Sequence, residues 1–151
     1  MRIKIITLSW PLLLSALLFS CKKKEPPKAP MLDLAQQYEI TSSFDKKSSI
    51  LTVGIKLNDG LHAYAKGEKI GKPVRLEIVD KNGWQALGTT DIPAGKNKDL
   101  GTLGKSVVLT GDVNLRQRVK SGTGEGRANL HLQVCTESVC DRPRVHSLTF
   151  H

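Results

Sequence analysis

Apolar and polar residues alternate along five segments of this chain, and the alternation predicts β-strands. Successive side chains of a strand point to opposite faces, so a period of two indicates a strand with one buried face. Asn-Gly, Asp-Gly and glycine-rich turn signals separate the segments, and only residues 32–38 have the composition of a helix, a short one. The alternating segments are 51–57, 74–78, 112–116, 130–134 and 145–150.

The spacing of these segments predicts the fold class. Seven or so short strands in about 120 residues, without a strand–helix–strand rhythm, are typical of an all-β antiparallel sandwich. We assign this domain to residues 33–151, a normal size for one domain with its own core. The glycine-rich segment 122–126 lacks the Lys-Ser/Thr pair of a phosphate-binding loop, so we interpret it as a hairpin turn.

The first 20 residues have the pattern of an export signal. Arg2 and Lys4 precede an apolar stretch over residues 8–19. That stretch is shorter than the roughly 20 apolar residues that a bilayer crossing needs. We therefore predict a signal peptide over residues 1–20.

The end of the signal resembles the lipobox of bacterial lipoproteins. Leu18 stands three residues before Cys21, and a small residue directly precedes the cysteine. The resemblance implies cleavage before Cys21 and acylation of that residue, and residues 21–32 follow as a tether rich in lysine and proline. We therefore predict a lipid-anchored protein of the bacterial cell envelope that faces the periplasm, in the inner or the outer membrane. The alternative is an ordinary secretory signal with an incidental cysteine.

The net charge does not indicate a nucleic-acid partner. The full chain has 23 basic and 14 acidic residues, a net +9. Removal of the signal takes away Arg2 and Lys4, leaving 21 basic residues against 14 acidic ones, a net +7. Three of these charges lie in the tether, at residues 22–24, and no basic stripe is interleaved with aromatic residues, so we expect no nucleic acid to bind.

Cys135 and Cys140 are the candidate functional residues. Cys21 is the only other cysteine, and an exported chain meets an oxidising compartment, so the two can form a pair. The pair is either a structural staple or a thiol:disulfide exchange centre. In the chain-entropy model a six-residue ring stabilises by only about 2 kcal/mol. A staple that served stability would join more distant strands, and this consideration favours the redox role.

Other kinds of site find less support in the sequence. The histidines are irregularly spaced for a zinc site with the cysteines, and no Ser-His-Asp order or cofactor loop stands out, so we expect neither a metal nor a cofactor. Trp84 is interpreted as a core aromatic. The four histidines are His62, His131, His146 and His151.

Three groups of residues, in this order and spacing, resemble the N-terminal periplasmic domain of the thiol:disulfide interchange protein DsbD. The family also includes stand-alone modules. The first group contains an Asp-Gly-Leu-His-Ala-Tyr segment, the second a Gly-Trp and an Asp-Ile-Pro segment, and the third the two cysteines in Gln-Val-Cys and Cys-Asp-Arg-Pro. They occupy residues 59–64 and 71–73; 83–84, 91–93 and 110–113; and 133–143.

The resemblance implies an immunoglobulin-like sandwich with the cysteine pair near one edge. It implies an interchange activity like that of a protein-disulfide reductase, in which the pair accepts electrons from a membrane donor and passes them to oxidised envelope proteins. By the family's pattern Cys140 bonds the downstream partner and Cys135 resolves the mixed disulfide.

The resemblance also assigns supporting residues. His62 and Tyr64 correspond to positions beside the pair, where they would shield it or hydrogen-bond a thiolate. Asp99, in a loop placed like the family's cap over the disulfide, would accept or relay a proton. Independently of the resemblance, the charges of Arg142 and Arg144 would favour the thiolate form of Cys140 by proximity and so lower its pKa.

The chain departs from the family's pattern at three points. Arg142 stands where the family has a proline. The cap loop, residues 94–103, lacks the aromatic that often shields the disulfide, so Leu100 or Leu103 would take its place. The sequence ends at His151, and we expect separate proteins to serve as electron donor and client. The open alternative is an immunoglobulin-like envelope lipoprotein whose disulfide is structural and whose surface binds a protein or host ligand.

Overall fold

The computed structural model describes residues 33–101 and 104–151. The predicted signal peptide, Cys21, the tether and Leu103 lie outside the described residues. Within the described ranges the chain forms strands joined by turns, and none of it is a helix with the length and hydropathy that a bilayer crossing requires.

Eleven strands occur in the described residues, and all their pairings are antiparallel. One isolated bridge, between Tyr64 and Pro73, is parallel. The strands are β1 (Tyr38–Asp45), β2 (Ile50–Leu57), β3 (His62–Tyr64), β4 (Arg75–Val79), β5 (Gln85–Asp91), β6 (Lys96–Asp99), β7 (Lys105–Leu109), β8 (Asp112–Lys120), β9 (Gly126–Leu132), β10 (Val134–Cys135) and β11 (Arg144–Phe150).

The strands form three sheets. Sheet I has the order β1-β2-β8-β5, sheet II the order β11-β9-β4, and sheet III the order β10-β3-β7-β6. Gln133 alone separates β9 from β10, so sheet III continues the layer that sheet II begins. The result is an antiparallel β-sandwich, as the alternation of apolar residues predicted.

The main core lies between sheet I and the layer formed by sheets II and III. Alternate residues of β2, β8 and β9 point into it, because a strand presents every second side chain to one face. Each fully buried aliphatic side chain of this kind contributes roughly 1.5–3 kcal/mol. These residues include Leu51, Val53, Ile55 and Leu57 of β2, Val113, Leu115 and Val119 of β8, and Ala128, Leu130 and Leu132 of β9.

Gln117 is a buried polar residue on the core face of β8. The ladder between β5 and β8 is irregular between Leu87 and Asp91, which leaves backbone groups of β5 without strand partners. The Gln117 side chain donates to the carbonyl of Leu87 at 3.1 Å and accepts from the hydroxyl of Thr90 at 2.7 Å. It therefore replaces hydrogen bonds that the irregular strand does not make.

Trp84 lies in the core, as predicted, at the end of the sandwich where β9 begins. Its ring centroid is 5.3 Å from that of Phe44 and 5.0 Å from that of Phe150, in edge-to-face arrangements. The cysteines follow the opposite end of β9, so this aromatic cluster closes the end that is distant from the disulfide.

Three local expectations need correction. Residues 34–37 form a turn, with the Gln37 amide donating to the Leu34 carbonyl, and β1 begins at Tyr38, so the proposed helix is absent there. The glycine-rich segment is not a hairpin turn, because β8 and β9 belong to different sheets and the segment carries the chain between layers. Residues 96–99 of the predicted cap loop form β6, which pairs with β7.

Candidate functional site

Cys135 and Cys140 form a disulfide that closes a short hairpin. Cys135 ends β10, and Cys140 returns to it in an antiparallel bridge with the two Cα atoms 3.9 Å apart. Thr136 holds the turn, because its amide donates to the carbonyl of Val139 at 2.8 Å and its hydroxyl oxygen accepts from the Val139 amide at 3.1 Å. Glu137 therefore lies at the tip of a well-defined turn.

The disulfide lies on the outer face of sheet III. Ala63 and Val134 are paired across β3 and β10 and both belong to the main core. The neighbouring pair, His62 and Cys135, must point to the other face, because side chains alternate along a strand. A second, smaller buried cluster covers this face; it consists of Tyr64, Leu100, Val108 and Cys135, with Cys140 packed against it.

The two sulfurs differ in exposure. Cys135 is completely buried, whereas Cys140 is only partly buried. Leu100, which is 6% exposed, covers the cluster from the cap side, the place predicted for Leu100 or Leu103. A partner that approaches this face therefore meets the sulfur of Cys140 first.

Tyr64 contacts the sulfur of Cys140. Its hydroxyl lies 3.6 Å from the Sγ atom of Cys140. Burial, and then the negative charge of Glu68, raises the pKa of Tyr64 above its ordinary value of 10.0, so the phenol keeps its proton. The phenol can therefore donate a hydrogen bond to the sulfur.

Gly71 makes room for the Tyr64 ring. A Cβ atom at residue 71 would stand 1.9 Å from a ring carbon of Tyr64, so no other residue fits without moving the ring. Gln133 holds the same loop from the other side: its side-chain oxygen accepts from the Lys72 amide at 2.8 Å, and its NH2 group donates to the Asp141 carbonyl at 3.1 Å.

His62 is buried beside Cys135. The two residues are directly opposed in the pairing of β3 with β10, and the imidazole meets the Tyr64 ring edge-on with centroids 5.6 Å apart. Neither ring nitrogen has a hydrogen-bond partner among the residues that the structure describes. Burial, and then the positive charge of Lys98, lowers the pKa of His62 below its ordinary value of 6.5, whereas Glu137 raises it. The imidazole is therefore neutral at pH 7.

An ion pair joins the cap to the disulfide hairpin. The ammonium group of Lys98, on β6, lies 3.2 Å from a carboxylate oxygen of Glu137. Both side chains are partly exposed, so the pair contributes at most about 1 kcal/mol. Asp99, the next residue, accepts from the Gly101 amide at 2.9 Å and thereby holds the turn of the cap. In the described ranges, no hydrogen bond joins Asp99 to the sulfurs.

Asp141 organises the charges beside Cys140. Its buried carboxylate accepts from the Arg144 side chain at 3.0 Å and from the Arg142 amide at 2.8 Å. Arg144 also pairs with Asp33 at 2.7 Å, and hydrogen bonding to Asp141 raises the pKa of Arg144. The positive charge of Arg144 is thus largely compensated, whereas Arg142, two residues after Cys140 in the sequence, is exposed and forms no ion pair among the described residues.

Sequence reasoning did not identify Asp141, Lys98 or Glu137 as parts of the site. Each acts through a partner that the fold brings to it, and nothing local to the sequence marks these charged residues as different from surface ones. Gln133 belonged to the cysteine motif, but its bridging role depends on two loops that meet only in the folded protein.

One large cavity in the described part of the chain lies away from the sulfurs. It has a volume of about 800 Å³, runs between the edges of β4 and β5, and contains neither cysteine in its lining. Disulfide exchange takes place at an accessible sulfur and needs no cavity. The described residues also contain no cluster of three or more His, Cys, Asp and Glu side chains that could hold a metal ion.

Known structures share this architecture. The DsbD N-terminal domain of Neisseria meningitidis in the reduced form is 15% identical, with a TM-score of 0.59 over 78% of this chain and 87% of that one. The complex between the DsbD and PilB N-terminal domains of the same organism gives 15% identity and a TM-score of 0.58, covering 80% and 88%. The N-terminal periplasmic domain of ScsB from Proteus mirabilis gives 14% identity and a TM-score of 0.54, and the match covers 80% of this chain and 49% of that one. These likenesses confirm the immunoglobulin-like fold.

The solved structures show the fold, whereas the comparison with protein-family models identifies the family. No curated protein matches the sequence. The family model for the N-terminal domain of the thiol:disulfide interchange protein DsbD matches residues 28–150, which include both cysteines and nearly all of the described structure. This chain therefore belongs to the DsbD N-terminal family of thiol:disulfide interchange domains.

Proposed function

We propose that this protein is a lipid-anchored thiol:disulfide exchange module of the bacterial envelope. In this role the Cys135–Cys140 pair takes electrons from a membrane reductant and passes them to oxidised envelope proteins. Family membership supports exchange with partner proteins, and the lipobox-like sequence before Cys21 supports the anchor.

The observation that carries the proposal is the position of the disulfide outside the main core. It lies on the outer face of sheet III, covered by the cap, with Cys135 buried and Cys140 partly exposed. A disulfide that served only as a staple would gain nothing from this asymmetry. An exchanging pair needs it, because one sulfur must meet the partner while the other stays in reserve.

The reaction follows from this arrangement. In the reduced module the thiolate of Cys140 attacks a client disulfide, and one client sulfur leaves as a thiolate. Cys135 then attacks the sulfur of Cys140 and expels the second client sulfur. The client gains two electrons and two protons, the Cys135–Cys140 disulfide forms again, and the membrane reductant restores the dithiol.

The neighbouring residues fit these roles. The Tyr64 hydroxyl is placed to donate a hydrogen bond to the attacking sulfur of Cys140. Arg142 adds a positive charge beside it, which favours a thiolate. The exposed side chain of Val139 offers a partner an apolar contact next to the reactive sulfur.

The first prediction assigns the roles of the two cysteines. Full-length Cys135→Ala protein should accumulate mixed disulfides with envelope proteins, because Cys140 then lacks its resolving partner. Cys140→Ala protein should accumulate few, because Cys135 is buried. Adducts that disappear on reduction are counted by non-reducing electrophoresis, with the double variant as the control.

Two outcomes would contradict this assignment. Equal trapping by both single variants would contradict the division of roles. No trapping by either variant, together with a reduction potential of the pair below about −300 mV, would indicate a structural disulfide and favour a binding module instead.

The second prediction concerns the anchor. Cys21→Ser protein should lose its acyl chains and move from the membrane fraction to the soluble fraction, because several acyl chains together anchor a protein firmly. The fractions are compared after detergent partitioning, with Ser20→Ala as a matched control that keeps Cys21. Retention of the Cys21→Ser variant in the membrane would show that the lipid is not the anchor.

A further inference from the structure

We propose that His62 is the base that accepts the proton of the Cys135 thiol when Cys135 resolves the mixed disulfide. The inference rests on the proposed exchange function and adds to it the proton acceptor of its second step.

His62 lies directly across the strand pairing of β3 with β10 from Cys135. Residues opposed in this way have Cβ atoms about 5 Å apart and side chains on the same face. Both side chains are at most 1% exposed, so bulk water does not reach the thiol of Cys135. A neighbouring group of the protein is therefore better placed than bulk water to accept the proton.

The imidazole of His62 has unused hydrogen-bonding capacity. A neutral imidazole has one N–H donor and one nitrogen acceptor, and neither has a partner in the described part of the chain. Burial of such a ring is unfavourable unless another state supplies its partner. The disulfide sulfur of Cys135 carries no proton to donate to the ring. In the reduced protein the thiol of Cys135 has that proton and can be the missing partner.

Two opposite charges lie near the His62 ring. Lys98 from β6 opposes protonation of His62, and Glu137 from the disulfide hairpin favours it. These two residues pair with each other, so their fields at the ring partly cancel. Tyr64, the other titratable neighbour on β3, stays protonated and neutral. The ring is thus neutral before the step and has a carboxylate nearby when it takes a proton.

The step balances as follows. The S–H proton of Cys135 passes to the free nitrogen of His62, which becomes an imidazolium. The Cys135 thiolate attacks the sulfur of Cys140, the bond between Cys140 and the client breaks, and the client sulfur leaves with the electron pair. It then takes a proton from the imidazolium or from water.

The test separates the two sulfurs in time. Reduced full-length protein is mixed in a stopped-flow instrument with Ellman's disulfide, whose thiolate product is coloured. The first release reports the attack by Cys140 and the second reports the attack by Cys135. His62→Gln and His62→Leu should slow the second release about a hundredfold at pH 7, the lower range for a general base, and leave the first unchanged. His131→Gln, at a histidine of β9 that bonds Glu77, is the matched control.

The pH profile gives a readout that a packing role would not change. In the wild type the second release should rise through a pKa below 6.5 and then level off. In the His62 variants it should keep rising about tenfold per pH unit towards the pKa of an ordinary thiol, about 8.5. If the rate of the second release in the wild type instead follows only the ionisation of a thiol, the proposal is wrong, whatever the variants show.

Other results are also decisive. A second release of unchanged rate in either variant, or equal slowing of both releases, shows that His62 does not act as the base. Absence of the first release in the wild type instead contradicts the exchange function itself, so the two failures are distinguishable.

Discussion

The contact between Tyr64 and Cys140 depends on a residue without a side chain. The Tyr64 hydroxyl reaches the sulfur because Gly71 leaves space for the ring, and a Cβ at that position would overlap it. The ring also packs edge-on against His62. The close approach of Gly71 thus fixes the Tyr64 ring and, with it, the contacts of that ring with Cys140 and His62.

The third prediction tests the Tyr64 hydroxyl. In Tyr64→Phe the ring remains and only the donor to the Cys140 sulfur is lost. A hydrogen bond to a charged group contributes about 1.5–3 kcal/mol, so the thiolate fraction of reduced Cys140, and with it the rate of alkylation by iodoacetamide at pH 7, should fall about tenfold or more. Tyr38→Phe, which removes a hydroxyl that bonds His146 instead, is the control. An unchanged rate would show that the thiolate does not use this hydrogen bond.

At this scale the sequence identified residues with unusual chemistry but not their partners. It pointed to both cysteines, His62 and Tyr64, and the structure places all four together. Asp141 could not be predicted to be buried, since only the docking of Arg144 makes burial of its carboxylate tolerable. Such pairings depend on the fold, and a single sequence does not show them.

At the scale of elements, the cap is a hairpin of β6 and β7 and not an unstructured loop. β6 contributes Lys98 to the ion pair with Glu137, and Leu100 follows directly to cover the disulfide cluster. Gly95 lets the hairpin enter close to the sheet: its φ is +75°, and a Cβ there would lie 2.8 Å from the Val108 carbonyl oxygen. The cover over the sulfurs is therefore held by strand pairing.

The fourth prediction concerns this cover. Leu100→Ala should open the disulfide to small reductants, so that reduction of the oxidised protein by dithiothreitol becomes faster. The loss of buried contacts should also lower the free energy of unfolding by about 2 kcal/mol, the low end for such truncations.

The matched control is Leu87→Ala, at a leucine of β5 that is 46% exposed. It should change neither the rate nor the stability measurably. If Leu100→Ala is reduced at the wild-type rate, the leucine does not shield the pair.

Strands with one buried face were predictable, and the others were not. The side chains of β2 and β8 alternate between buried and more exposed positions along each strand, and the alternating segments 51–57 and 112–116 predicted both. β5 is exposed along nearly all of its length, and β3 has only three residues, all of them buried. Neither β5 nor β3 shows an alternation of apolar and polar residues, because these strands form through pairing with their neighbours and not through burial of one face. The fold class could still be predicted, since it depends on the strands that form the core.

At the scale of the whole molecule, long-range hydrogen bonds from backbone amides to carboxylates hold loops to the sandwich. Glu68 is the main example: its carboxylate accepts from the Val107 amide of β7 at 2.7 Å and from the Lys69 amide at 2.7 Å. These bonds, with that to Val107 foremost, lower the pKa of Glu68 to about 2 from 4.5. The loop after β3 is thereby joined to the strand beside it.

The fifth prediction follows from the sign of this shift. A depressed pKa means that the carboxylate stabilises the fold above about pH 4.5 and that this stabilisation is lost as the pH falls towards about 2. Glu68→Gln should therefore melt at a lower temperature than wild type at pH 7, and the difference should shrink between these two pH values.

Thermal unfolding followed by circular dichroism measures the effect. Glu39→Gln, at an exposed position of β1, is the control and should show no such convergence. A difference between wild type and Glu68→Gln that stays constant down to pH 2 would contradict the assignment.

The two faces of β3 contribute to separate buried clusters. Ala63 belongs to the main core of the sandwich, and Tyr64 belongs to the cluster around the disulfide. Changes at sites without shared partners generally add independently. Substitutions around the sulfurs are therefore expected to leave the packing of the main core unchanged, even where, as at Leu100, they cost stability in their own cluster, and substitutions in the main core are expected to leave the chemistry of the sulfurs unchanged. A lineage that diverged in this way could acquire new redox partners one residue at a time.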